Sequence, residues 1–133
     1  AEFVAMAVRA IDSDVEVKVD FVGMDQGAWY YQELRMAKQL GLIYGEHYDA
    51  LEPINRFEMA VIASKAHAII NNKKVEFNGT LEFTDVTPDS MSTYVGYAYE
   101  NNIISGYPDK TFRPTNHATR EEITRVIYAL IHD

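Results

Sequence analysis

Two arginines stand in the same local setting 64 residues apart. Arg56 follows Asn55 and lies two positions before Glu58; Arg120 follows Thr119 and lies two positions before Glu122. A guanidinium grips a carboxylate through two parallel hydrogen bonds. A residue just past a helix cap also sits beside unpaired amides and the positive end of the helix dipole. Both features suit a small, fixed anion. Gly45 and Gly106 have no Cβ and would let the backbone approach a ligand closely. Trp29, Tyr107 and Tyr44 offer aromatic faces for stacking, and Asp109 and Lys110 add polar and charged groups in the last loop.

Each residue has a second reading that stays open. Glu58 and Glu122 serve equally as capping residues. Arg56 and Arg120 could pair with Glu58 or Glu122 on the surface. Trp29 and Phe112 could be packing residues. Gly45 and Gly106 could be left-handed residues after a helix, and Asp85 and Asp109 turn or cap residues. Catalysis finds little support. The four histidines (His47, His67, His117, His132) share no metal-ligand spacing, no serine stands in a nucleophile elbow, and there is no cysteine. The expectation is no catalytic set, no metal and no cofactor.

The elements that must position these residues read as helices. Apolar residues recur at helical spacing near 1–11 (Phe3, Met6, Ala7, Ala10) and 28–40 (Tyr30, Leu34, Ala37, Leu40). They do so again near 91–101 (Met91, Tyr94, Val95, Ala98). Two further stripes are Met59-Ile62-Ala63-Ala66-Ile70 and Ile123-Val126-Ile127-Leu130-Ile131. Thr119-x-x-Glu122 is a capping box, and Asn55-x-x-Glu58 is its asparagine counterpart. Val15, Val17 and Val19 alternate with charges, which predicts a short edge strand within a linker at 12–20.

The pattern repeats. Leu34, Ala37 and Gly41–Gly45 match Val95, Ala98 and Asn102–Gly106 at an offset of 61. Asn55–Glu58 then match Thr119–Glu122, after a loop three residues shorter. Ala1–Met6 fall at the same point, with Glu2 in the place of Glu58 and Glu122. The expected organisation is one domain over 1–133: the tail of a first repeat with its linker (1–19), a second repeat with its linker (20–82) and a third (83–133). The start at Ala1-Glu2-Phe3, already inside an amphipathic pattern, suggests a mature or excised piece.

Composition bounds the function. At 133 residues, 47% hydrophobic and 24% charged, the chain is long enough for one core without staples. Twelve basic against twenty acidic residues leave a net charge of −8, which argues against nucleic acid or anionic lipid as a general partner. No apolar run approaches the ~20 residues of a membrane span. Any anion must therefore be captured at a few discrete cations.

One stretch resembles a known family. Phe83-Thr84-Asp85-Val86, then Ile103–Pro114 (IISGYPDKTFRP), then Ala118-Thr119-Arg120-Glu121-Glu122, resembles the S-layer homology (SLH) repeat. The middle repeat keeps Phe21, Trp29, Gly41-Leu42-Ile43, Gly45, Pro53, Ile54, Arg56 and Glu58, but its loop 46–52 lacks the Tyr-Pro-Asp-Gly-Thr-Phe core. The resemblance implies an all-α, pseudo-threefold bundle of helix-loop-helix repeats with prong-like loops. It also implies a non-catalytic module on the bacterial cell surface or wall. Such a module binds an anionic secondary cell-wall polysaccharide, often pyruvylated, through Arg56, Arg120, Gly45, Gly106, Trp29, Tyr107, Asp109, Lys110, Glu58 and Glu122. Arg120→Ala is then expected to weaken binding more than Lys110→Ala. The alternative is a degenerate module that assembles with an upstream repeat or another chain.

Overall fold

The computed structural model of the protein describes residues 1–87 and 89–132. Five helices follow in order: α1 (Glu2–Ile11), α2 (Tyr31–Gln39), α3 (Arg56–Ile70), α4 (Ser90–Glu100) and α5 (Arg120–His132). The fold is all-α, as the periodicity predicts. α2 starts at Tyr31 and not near 28, because Asp25–Tyr31 form consecutive turns (Ala28 N to Asp25 O, 3.1 Å; Tyr31 N to Ala28 O, 3.2 Å).

Helices α1, α3 and α5 all pack on one another; α2 lies on α1, and α4 lies on α3. Their meeting faces are small or apolar. Ala7, Ala60, Ala63 and Ala66 are fully buried and let the axes approach, while Phe3, Met59, Val126 and Leu130 fill the space between. Leu34 and Ala37 on α2, and Val95 and Ala98 on α4, are buried completely at matching repeat positions. Among the described residues no helix covers α5 in the way α2 covers α1. Tyr128 and Ile131 of α5 remain 64% and 59% exposed.

The repeat is visible in the backbone hydrogen bonds. α2 and α4 end in the same way: Leu42 N donates to Ala37 O (2.9 Å) and Ile103 N to Ala98 O (2.8 Å). Gly41 and Asn102 supply the left-handed residue that this closure needs (φ 80° and 58°). Phe57 N donates to Pro114 O at 2.9 Å, and Ala1 N donates to Ala50 O at 3.1 Å from the matching position.

The edge strand expected at Val15–Val19 does not form. This segment has no neighbouring strand, and α2 side chains satisfy its backbone groups. Lys18 N donates to Gln39 Oε1 (2.9 Å), Arg35 Nε to Val19 O (3.1 Å) and Lys38 Nζ to Asp20 O (2.6 Å). Among the described residues the one β-bridge is an isolated pair, Asn55 with His117. It ties the start of α3 to the loop before α5.

Candidate functional site

The capping residues are built as their spacing predicts. Asn55 Oδ1 accepts from Glu58 N (2.8 Å). Thr119 Oγ1 accepts from Glu122 N (3.1 Å), while Glu122 Oε1 accepts from Thr119 N (2.9 Å), closing a reciprocal box. Glu122 has a second role. Its other oxygen pairs with Arg56 and accepts from the Tyr107 hydroxyl (3.3 Å).

Arg56 lies at the centre of this arrangement and is only 2% exposed. Nε donates to Phe112 O (2.7 Å), Nη2 donates to Ser105 O (2.7 Å), and Nη1 pairs with Glu122. The guanidinium lies between the rings of Tyr107 and Phe112, at 4.8 and 4.6 Å from their centroids. Burial pulls its pKa below the ordinary arginine value. The nearby Tyr107 and Asp85 oppose that pull, and Arg113 reinforces it. The surface reading of Arg56 is thus corrected. It does pair with Glu122, but from beneath the loop of the next repeat.

The start of α3 is not an open anion site either. Arg56 N donates to Asn116 O (2.8 Å), Phe57 N to Pro114 O, and Glu58 N to the Asn55 side chain. Loop 105–118 therefore occupies the amides that a ligand would need.

That loop is held by Asp85, whose two oxygens accept from Phe112 N and Arg113 N, each at 2.8 Å. Asp109 is a turn residue: Oδ1 accepts from Thr111 N (3.1 Å) and Thr111 Oγ1 (2.5 Å). These bonds, the Thr111 hydroxyl foremost, hold its carboxyl below the usual carboxylate range. Lys110 takes a left-handed φ of 65° at the position where the resembling pattern has glycine. Phe112 is completely buried against Phe83 (centroids 5.7 Å apart), so its packing reading holds.

The two glycines differ. Gly45 is a left-handed turn residue (φ 96°). Gly106 is required by space: a Cβ there would meet Phe83 Cε1 at 2.1 Å and Thr111 O at 3.0 Å. Gly106→Ala is expected to destabilise the fold by about 1–3 kcal/mol, because backbone stands on one side of the clash. Thermal unfolding of the variant checks this, and an unchanged melting temperature would refute it.

Helices α4 and α5 do not pack on each other among the described residues; a groove of about 790 Å³ opens between them. Arg56, Gly106, Tyr107 and Glu122 all line it, so the fold gathers four of the ten candidate residues. It also brings in Tyr99, Asn102, Glu121 and Arg125, which the sequence reading missed. The available signal was the i,i+4 spacing of Glu121 and Arg125 on one helix.

The other six candidates lie elsewhere. Glu58 lines a separate hollow of about 350 Å³ with Glu2, Asp49 and Glu52, whose carboxylates disfavour an anion there. In that hollow Tyr48 is pushed up to about 12, chiefly by burial. Arg120, Asp109 and Lys110 are exposed outside the groove lining, as is Gly45. Trp29 is 61% exposed and packs edge-on against Tyr30, away from both hollows and outside the core.

The fold and site define a helical repeat module whose loop is clamped over a helix start of the preceding repeat by a buried arginine. Residues 82–124 match the S-layer homology domain, which places this segment in that family. An amylopullulanase of Thermoanaerobacterium thermosulfurigenes is 32% identical over 98% of the chain, which spans 7% of that relative. A surface layer protein of Brevibacillus choshinensis is 31% identical over 94% of the chain, which spans 11% of it. A cellulosome-anchoring protein of Acetivibrio thermocellus is 33% identical over 59% of the chain, which spans 17% of it. The chain thus corresponds to a small part of each relative.

Proposed function

We propose that the chain is a non-catalytic anchoring module that holds one discrete anionic sugar of a secondary cell-wall polysaccharide in the groove between α4 and α5. The SLH domain supports the anchoring role, together with relatives named surface layer, middle cell wall and cellulosome-anchoring proteins. The same domain and relatives indicate a cell-surface or cell-wall location. No helix among the described residues is long and apolar enough to cross a membrane.

The observation that carries the sugar reading is the composition of the groove: the guanidinium groups of Arg56 and Arg125 flank tyrosine faces and amide groups of the matched segment in one concave site. A pyruvyl ketal suits it, being a fixed carboxylate flanked by hydroxyls. Isothermal titration against purified polymer with and without pyruvyl groups tests the reading. Binding should be tighter to the pyruvylated form. Absence of binding to both forms would sink it, and tight binding to heparin at moderate salt would sink its selectivity.

The uncovered side of α5 favours a second reading, assembly with another helix. Tyr128 and Ile131 are exposed where α1 and α3 each carry a partner helix. A half-repeat preceding residue 1 in a longer protein would complete a three-repeat domain there. Light scattering would detect the alternative, self-association without polymer.

A further inference from the structure

Within the groove, Arg56 builds the site but cannot be the cation that meets the ligand. All three of its guanidinium nitrogens are engaged, on Phe112 O, Ser105 O and Glu122, and two rings cover its faces. Turning toward a ligand would strand two loop carbonyls and the Glu122 carboxylate. Among the described residues the lining holds one other cation, Arg125.

Arg125 stands one turn along α5 from Glu121, and the two pair at 2.5 Å with side chains 72% and 73% exposed. An exposed pair of this kind is worth little, because water solvates both partners and holding two long side chains costs entropy. A carboxylate fixed on a bound sugar loses no freedom of its own and can take the place of Glu121. Tyr99 of α4 is half-exposed and lines the same groove, where its ring can take the apolar face of the sugar.

The remaining lining charges set the selectivity. Glu122 is compensated by Arg56, while Glu100 and Glu121 stay in the groove as carboxylates. A ligand with one carboxylate can displace one of them from Arg125. A ligand with many carries further charges toward Glu100.

Resting on the sugar-binding reading above, we propose that Arg125 is the residue that contacts the ligand carboxylate, and that Glu121 is its built-in competitor. Calorimetry with a pyruvyl-ketal amino-sugar glycoside and its ketal-free counterpart tests this on the whole chain. Arg125→Ala should lose at least tenfold in affinity for the ketal and little for the counterpart, with an unchanged melting temperature. Glu121→Gln should gain severalfold, and Arg9→Ala, on α1, should match the parent. Undiminished ketal binding by Arg125→Ala overturns the proposal, as does equal loss on both sugars or weaker binding by Glu121→Gln. If the parent chain binds neither sugar, the sugar-binding reading itself has failed.

Discussion

Arg56→Met should lower the stability of the fold by about 3 kcal/mol, because it leaves Glu122 without its cation and two loop carbonyls without donors in a partly buried site. For a domain of 133 residues that is a fall in melting temperature on the order of 10 °C. Arg56→Lys should lose about half as much. An ammonium keeps the charge but cannot reach three acceptors arranged around a planar fork. In the double variant with Glu122→Gln, the loss should be smaller than the two single losses added together, since the uncompensated carboxylate is gone. Thermal and urea unfolding measure all three. A loss below 1 kcal/mol for Arg56→Met would mean the clamp is dispensable.

Phe112→Ala should cost about 3–5 kcal/mol, the range for emptying a fully buried aromatic site. The ring is the floor on which Phe83 and the Arg56 guanidinium both rest. Phe83 in turn fills the space that a Cβ on Gly106 would need. The groove wall at Gly106 and Tyr107 should therefore loosen together with the core, and polymer binding should fall with stability. Phe112→Leu keeps most of the volume and should recover most of both. Urea unfolding with an unchanged slope is the measurement. A loss for Phe112→Ala no larger than that for Phe112→Leu would show that the loop packs without this ring.

The pair of arginines shows how far the sequence could be read. Arg56 and Arg120 share a cap, a spacing and a glutamate two residues on, so local pattern treats them alike. In the fold they part completely. Loop 105–118 of the following repeat lies over the start of α3, ties its amides and buries Arg56. Among the described residues no such loop covers α5, and Arg120 stays exposed. Glu122 likewise was read as a cap or a pairing residue, and it is both, one oxygen for each role.

The sequence by itself determined the five helices, the caps of α3 and α5, the internal repeat and the turn chemistry of the last loop. Those features depend on contacts between residues one to four apart, which periodicity and cap spacing encode directly. Only the tertiary structure decided which arginine is a clamp, which one opens on the groove, why Gly106 has no side chain, and that Val15–Val19 find no strand to join. Each of those follows from partners distant in the chain: Arg56 bonds residues 49 and 56 positions away, and Asp85 bonds residues 27 and 28 positions away. No local spacing records which backbone will be folded over a side chain. Burial then sets the role, because a guanidinium whose three nitrogens are each engaged on a carbonyl or a carboxylate holds the walls of the site together.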